Sequence, residues 1–198
     1  MPAGPMSSRQ YLNHIGSLLD DENSIVRQCH KLGVPIFCPA INDSSIGIGL
    51  TEHYHRHKTQ GIPLRSISSI QDNYELTQIV VKSQKTAAIY VAGGVPKNYI
   101  NDSIVMGYIF KVERGHSYAI QMTTDVPHWG GLSGATLKEA MAGGKIQKQA
   151  TTAMAFVEPS VSLPLLAAYV LERNLAAGRK RLRFTWDGDI LKDLTARG

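Results

Sequence analysis

Apolar residues recur along the chain with two periods, one typical of helices and one typical of buried strands. Intervals of three and four residues predict amphipathic helices, and short wholly apolar runs predict strands that are buried on both faces. The predicted helices span residues 7–21, 21–33, 70–85, 99–112, 135–143 and 162–178. The predicted strands are VPIFC (34–38), TAAIYV (86–91), SYAIQMT (117–123) and TTAMAFV (151–157).

This alternation predicts the fold class. Parallel strands need long crossovers, usually helices, and they are normally buried on both faces. We therefore expect an α/β protein: a Rossmann-like three-layer sandwich with a mainly parallel sheet. The segment 181–194 predicts a further strand, a turn at Asp187–Gly188 and a short last element. The predicted division is an amino-terminal helix with a flexible start (1–21), one α/β domain (22–178) and a basic carboxyl-terminal extension (179–198).

Composition restricts the class of protein. The chain has 198 residues, of which 43% are apolar and 19% charged, as in an ordinary soluble domain. No apolar run approaches the length of a membrane span, and the start lacks a signal-peptide pattern, so a cytoplasmic protein is expected. Cys29 and Cys38 are expected to be reduced thiols. The net charge of +5 owes much to residues 173–183, where a solvated surface is favoured over a nucleic-acid contact.

Each predicted strand is followed by a polar or glycine-rich loop. These loops are residues 39–49, 92–98, 123–131 and 158–162. Since open parallel sheets bind ligands at the carboxyl ends of their strands, the sequence predicts a ligand site at this edge. Gly93–Gly94 would let a dinucleotide approach the backbone and Glu158 could bind a ribose, although no standard nucleotide fingerprint is present. A plain turn at Gly93–Gly94 remains equally open.

Three local features are candidates for chemistry. Lys145 follows a glycine pair and small apolar residues, so it is either a surface lysine or an amine that poor solvation makes nucleophilic. His53 and His57 have the spacing of helical metal ligands, yet a polar helix face is favoured and no metal is predicted. Trp129 either stacks on a cation or simply packs.

Four segments together carry a family resemblance. They are DENSIVRQCHKLGVPIFCPAINDSSIG, AIYVAGGVPKNYI, GHSYAIQMTTDVPHWGGLSGATLKEAMAGGKI and VEPSVSLPLLAAYVL, and they cover most of residues 22–171. In order and spacing they resemble deoxyhypusine synthase, and the GGVPKN and GGLSGAT forms are similar to the bacterial deoxyhypusine synthase-like branch. The chain corresponds to the carboxyl-terminal half of that family.

The resemblance implies an NAD-dependent transfer of the 4-aminobutyl group of spermidine. Lys145 would carry the fragment as an imine and pass it to a protein lysine, giving deoxyhypusine, or to putrescine, giving homospermidine. Because a polyamine is a polycation, carboxylates are needed to bind it. The residues implied for NAD are Asp43, Gly93, Gly94, Thr124, Asp125, Glu158 and Pro159. Those implied for the substrate are Asn98, Trp129, Gly130, Gly131, Ser133 and Glu139.

The sequence also departs from the family pattern. Asn98 replaces a histidine, Ile48 and Leu132 replace substrate-binding aspartates, Gly143 replaces a tryptophan, and Ala92 replaces the third glycine of a GGG motif. The family's amino-terminal half has no counterpart here. The resemblance implies a homotetramer built as a dimer of dimers, or a complex with a chain that supplies the missing half. The alternative is a non-catalytic or partial subunit that complements or regulates a longer paralogue.

Overall fold

A computed structural model describes residues 4–129, 132 and 135–197 of the chain. Helices and strands alternate along most of this length, as the sequence predicts. The helices are α1 (Ser8–Leu18), α2 (Ile25–Leu32), α3 (Ser45–Gln60), α4 (Ser69–Lys82), α5 (Val95–Ile109), α6 (Leu137–Ala142) and α7 (Pro159–Glu172). The strands are β1 (Gly4–Met6), β2 (Arg65–Ile67), β3 (Ala87–Val91), β4 (His116–Thr123), β5 (Ile146–Phe156), β6 (Arg181–Asp187) and β7 (Ile190–Arg197).

The expected α/β class is confirmed, and one predicted strand is wrong. Residues 34–38 form no strand, because Pro35 cannot donate to a ladder. Instead the amide of Cys38 donates to Ser8 Oγ at 2.8 Å. The sequence did not predict β1 and β2, which pair in parallel, and for α3 it indicated only a polar helix face at His53 and His57. Strands of three residues carry too short an apolar pattern to be recognised.

Backbone contacts divide the chain into two compact units. Unit 1 contains Met1–Leu76 and Arg183–Thr195, and unit 2 contains Thr77–Leu182 and Ala196–Gly198. The predicted domain boundaries at residues 21 and 178 stay predictions. The two units are defined by backbone contacts, and their boundaries fall at other residues. The extension that was predicted to be basic and separate forms the β6–β7 hairpin, with Gly188 in its turn.

A buried ion pair ties together three parts of unit 1. Arg9 Nε on α1 donates to Glu75 Oε2 on α4 at 2.6 Å, and both side chains are almost fully buried. A second guanidinium nitrogen of Arg9 donates to the Gly188 carbonyl at 2.7 Å. The same guanidinium lies 3.9 Å from the ring centroid of Trp186 on β6. One cation therefore fixes the hairpin to the amino-terminal helix.

Unit 2 is built on a three-stranded parallel sheet in the order β3-β4-β5. Its core lies on one face, where Ala88 and Tyr90 of β3 and Ala119 of β4 pack against Leu137 and Ala140 of α6. Helix α5 contributes to the same face, because the Tyr90 hydroxyl donates to Asn101 Oδ1 at 2.8 Å. Both crossover helices therefore cover the same side of the sheet.

The opposite face of this sheet is exposed, which corrects the expectation of a sheet covered on both faces. Ile89 is 58% exposed and Tyr118 is 52% exposed, although both are apolar residues in strands. The reason is topological. Right-handed crossovers that step in one direction, from β3 to β4 to β5, place both helices on one side.

Helix α7 is apolar on all sides, and none of its residues is buried. Leu165 is 66% exposed, and Val161, Tyr169 and Leu171 are exposed as well. A helix that is hydrophobic all round normally lies inside a core. No helix in the described part of the chain combines the length and the apolar character needed to cross a membrane.

His116 begins β4 and is a buried base. Its side chain shares a hydrogen bond of 2.8 Å between Nδ1 and Thr86 Oγ1. Its Nε2 has no partner among the described residues. Burial lowers the pKa of His116 from 6.5 to about 4, because desolvation disfavours the imidazolium.

Acidification should destabilise the protein through His116. Between pH 6.5 and about 4, His116 is protonated in the unfolded chain but stays neutral in the folded chain. The contribution of His116 to the free energy of unfolding is therefore fully present above pH 6.5 and is lost as the pH falls toward 4. The loss approaches roughly 3 kcal/mol. We expect His116→Gln to flatten the dependence of the urea midpoint on pH over this window. The same slope in His116→Gln as in wild type would contradict this assignment, and the exposed His55→Gln is the matched control.

Candidate functional site

The carboxyl edge of the β3-β4-β5 sheet gathers most of the predicted cofactor residues. Because the strands are parallel, Gly93–Gly94, Thr124–Asp125 and Glu158–Pro159 all emerge at this edge. The carboxylates of Asp125 and Glu158 are exposed. Glu158 caps α7, where its Oε1 accepts from the Ser160 amide at 3.3 Å.

Two helices start at this edge, and their first turns differ. At α7 the free amides are partly satisfied by Glu158. At α5 the N-cap is Gly94, with φ 92°, and no described side chain caps the amides. Uncapped amides at the positive end of a helix suit an anionic group such as a phosphate. Asn98 lies in the same first turn and is exposed.

Ala92 stands where the family motif has its third glycine, and it keeps a glycine-like backbone. Its φ is 64°, in the left-handed region that non-glycine residues rarely adopt. Its amide donates to the Met122 carbonyl at 2.8 Å, and its carbonyl accepts from Gln121 Nε2 at 3.0 Å. Two hydrogen bonds to β4 hold this turn in its strained form.

Lys97 is a site residue that the sequence reasoning missed. It lies in the first turn of α5 and is only 3% exposed. Its Nζ donates to Gln121 Oε1 at 2.9 Å, to the Leu132 carbonyl at 2.8 Å and to the Ala135 carbonyl. Burial lowers the pKa of Lys97, and the nearby Glu139 carboxylate opposes this effect. The available signal was the helical face that Lys97 shares with Asn101 and Ile104, which are also buried.

Glu139, which the resemblance assigns to the polyamine, lies in the first turn of α6. Its Oε2 accepts from the Thr136 amide at 2.6 Å and from Thr136 Oγ1 at 2.8 Å. The Glu139 amide donates to Thr136 Oγ1 at 3.2 Å, and this bond and the one from the Thr136 amide form a capping box. These hydrogen bonds lower the pKa of Glu139, so the side chain is an anion at neutral pH. The carboxylate is exposed and could also contact an ammonium.

Lys145 lies at the other edge of the sheet, because it precedes β5 whereas Glu158 follows it. In the strand register, Ile146 pairs with His116 and Phe156 pairs with Thr123. The seven steps from His116 to Thr123 amount to roughly 23 Å along the strand. One subunit therefore does not bring Lys145 together with the carboxyl edge.

The backbone around Lys145 is held from several sides while its amine stays free. Its amide donates to the Ala140 carbonyl at 2.9 Å, and its carbonyl accepts from the His116 amide at 3.0 Å. The Tyr108 hydroxyl donates to the Gly144 carbonyl at 2.8 Å. Gly115 packs so closely that a Cβ there would lie 2.8 Å from the Lys145 oxygen. Lys145 is half-buried, and its ammonium has no partner among the described residues.

The remaining predicted residues are placed as follows. Asp43 belongs to unit 1 and is exposed in the turn before α3. Trp129 ends a short 3₁₀ helix, Pro127–Trp129. Gly130, Gly131 and Ser133 lie outside the described residues.

The histidines of α3 have structural partners. His53 Nε2 accepts from the Arg65 amide at 3.1 Å, and His57 Nδ1 lies 2.6 Å from the Ile62 carbonyl. Both histidines thus support the connection between α3 and β2. Within the described ranges, no group of three or more histidine, cysteine or acidic side chains could hold a metal ion.

The fold and site define a class: an α/β protein whose polar and glycine-rich loops follow parallel strands. Comparison with known proteins defines the family. The family model for deoxyhypusine synthase matches residues 2–170, and the chain belongs to the deoxyhypusine synthase family. The match includes three of the four segments on which the resemblance rested and the fourth up to Val170, so this prediction is confirmed.

Archaeal and bacterial relatives agree with this assignment. The chain is 45% identical over 187 residues to "Probable deoxyhypusine synthase 2" of Methanosarcina acetivorans, covering 92% of this chain and 53% of the relative. It is 38% identical over 190 residues to "Deoxyhypusine synthase-like protein" of Chlorobaculum tepidum, covering 93% and 53%. The chain thus spans about half the length of these curated relatives.

A solved structure supports the fold. A crystal structure from Entamoeba histolytica, described as a deoxyhypusine synthase, aligns with a TM-score of 0.55 and 19% identity. The alignment covers 83% of this chain and 44% of that one. At this identity the likeness concerns the fold alone, and the aligned part is less than half of the longer chain.

The two glycines before Lys145 should respond differently to substitution. Gly144 has φ 74°, and a Cβ there would lie 3.1 Å from Tyr108 Oη, so Gly144→Ala should cost about 1–2 kcal/mol of unfolding free energy. Gly143 has φ −83°, and its nearest Cβ contact would be 3.6 Å, so Gly143→Ala should be neutral or slightly stabilising. Chemical denaturation of both variants is the measurement. Equal effects would show that the frame around Lys145 is not as described.

Proposed function

We propose that the chain takes part in the NAD-dependent transfer of a 4-aminobutyl group from spermidine to an acceptor amine, through an imine on Lys145. The observation that carries this proposal is the setting of Lys145: an anchored backbone with a half-buried amine that has no partner among the described residues. Such an amine, once deprotonated, can attack an electrophilic carbon. Membership of the family supports the aminobutyl transfer.

The chemistry of the carboxyl edge fits the dinucleotide. The uncapped amides of α5 suit its pyrophosphate, and the exposed carboxylates of Asp125 and Glu158 suit ribose hydroxyls. When bound, NAD would accept hydride from the carbon beside the secondary amine of spermidine and later return it to the product imine. Because the same hydride would be returned to the product imine, no other oxidant or reductant is needed.

Lys145 acts between these two hydride transfers. Its neutral amine attacks the imine carbon of oxidised spermidine, and the carbon–nitrogen bond to diaminopropane breaks. Diaminopropane leaves with the proton, and the four-carbon fragment stays on Lys145 as an imine. The acceptor amine, a protein lysine or putrescine, then displaces Lys145 in the same way.

The proposed reaction requires more than one chain. Within a subunit Lys145 and the carboxyl edge face opposite ends of the sheet. We propose that Lys145 of one subunit works with the cofactor edge of another, in a dimer of dimers or in a complex with a chain that supplies the other half of the family fold. Glu139, Asn98, Trp129, Gly130, Gly131 and Ser133 stay proposed substrate residues. Asp43, Gly93, Gly94, Thr124 and Pro159 stay proposed cofactor residues.

The second candidate is a partial or non-catalytic subunit that complements or regulates a longer paralogue. The specific observation in its favour is apolar surface: most of one face of the β3-β4-β5 sheet and much of α7 are exposed. A surface of this kind normally marks a protein interface.

Reductive trapping tests the role of Lys145. Borohydride added to the protein with spermidine and NAD should convert the imine into a stable aminobutyl-lysine, which mass spectrometry would find on the peptide that contains Lys145. Lys145→Ala should abolish the adduct, whereas the exposed Lys148→Ala should retain it. An adduct distributed over several lysines, or none with a co-expressed longer paralogue present, would reject the catalytic proposal.

Assembly through α7 can be tested separately. Leu165→Glu places a charge on exposed apolar surface and should shift the protein from its assembled form toward single chains, as measured by analytical ultracentrifugation. Ser160→Glu adds the same charge at an exposed polar position of the same helix and should leave assembly unchanged. A wild-type protein that sediments as a single chain at every concentration, without binding the paralogue, would remove the basis for both candidates.

A further inference from the structure

The proposed reaction assigns no role to the buried ammonium of Lys97. Lysine is rarely buried this completely, because its charge must then be compensated inside the protein. Here three oxygen atoms converge on Nζ: the side-chain carbonyl of Gln121 and the backbone carbonyls of Leu132 and Ala135. The three hydrogens of the ammonium match these three acceptors.

This arrangement argues against Lys97 as a nucleophile. An amine that forms a covalent bond must offer a free lone pair, whereas Nζ is occupied by three acceptors and enclosed by protein. The Tyr90 ring, whose centroid lies 5.5 Å from Nζ, and the nearby Glu139 carboxylate favour the charged form. Lys97 is therefore a fixed cation that organises its surroundings.

The donor and its acceptors come from three different parts of unit 2. Gln121 belongs to β4, Leu132 and Ala135 belong to the connection that follows β4, and Lys97 itself belongs to α5. Gln121 extends this hydrogen-bond network, because its Nε2 donates to the carbonyl of Ala92. Ala135 is followed directly by Thr136, the N-cap of α6, which binds Glu139. One chain of hydrogen bonds thus joins the turn after β3 to the start of α6.

We propose that Lys97 is the positioning residue of the carboxyl edge: its ammonium holds the start of α6, with Thr136 and Glu139, against β4 and α5. The inference goes beyond the proposed function, because it concerns how this edge keeps its shape whatever substrate binds there. It predicts that Glu139 and the turn at Ala92 lose their relative placement together when Lys97 is replaced. Lys97 would act through these residues and would not touch the reacting atoms.

Hydrogen exchange measured by mass spectrometry on the full chain tests this inference. Lys97→Met keeps the length of the side chain but removes all three donors, leaving buried carbonyls unsatisfied. We expect exchange at the α6 amides of Ala140 and Gly143 to become about tenfold faster or more. Exchange at the distant end of α5, at Phe110, should change little. Lys138→Met, an exposed position on α6, is the matched control and should match wild type.

Two results would overturn the proposal. One is Lys97→Met exchange at α6 that equals wild type, and the other is a uniform increase throughout unit 2, which would mean general destabilisation. A titration with NAD separates this inference from the proposed function. If wild type binds NAD, Lys97→Met should weaken binding while Lys138→Met does not. If wild type does not bind NAD, the cofactor proposal fails and the exchange result alone decides the role of Lys97.

A measurement on the wild-type protein covers the case in which Lys97→Met does not fold. Nitrogen-15 NMR of the lysine side chains should give a Lys97 ammonium signal whose protons exchange with water far more slowly than those of exposed Lys138. The signal should respond to Gln121→Leu, which removes one acceptor. A Lys97 ammonium that exchanges as fast as that of Lys138 would refute the arrangement.

Discussion

The common direction of three strands is the constraint on which unit 2 depends. Because β3, β4 and β5 are parallel, every loop after a strand reaches one edge, and every residue before a strand lies at the other. This places the glycine turn, Asp125 and Glu158 together. It also separates them from Lys145, which ends the crossover from α6. A reaction that uses both edges therefore needs two subunits, one that supplies Lys145 and one that supplies the carboxyl edge.

The same direction explains the apolar surface. Two right-handed crossovers that step the same way cover one face of the sheet and leave Ile89 and Tyr118 on the other. In most parallel sheets a further set of helices covers that second face. The chain instead carries α7, an apolar helix without a buried residue. The structure therefore presents two apolar surfaces, one face of the sheet and α7.

The sequence predicted most of the helices, because capping and periodicity are local. Helix α2, for example, lies within the predicted range 21–33, with Ser24 as its N-cap and Gly33 as its C-cap. The sequence prediction failed for residues 34–38, where the composition was typical of a strand but Pro35 has no backbone N–H to donate. The carboxyl-edge residues were predictable from strand order. Lys97 was not, because a buried lysine and a surface lysine look alike in sequence until the partners Gln121, Leu132 and Ala135 are known.

Unit 1 is built from two distant segments of the chain, and this determines when it can fold during synthesis. Its two parts, Met1–Leu76 and Arg183–Thr195, are separated by nearly all of unit 2. The contact from Arg9 to Trp186 and Gly188 cannot form until the ribosome has synthesised the hairpin. Unit 2 can begin to fold during translation, whereas unit 1 has to wait with its Arg9–Glu75 pair incompletely enclosed. Helix α1 is therefore synthesised first, but it completes its contacts last.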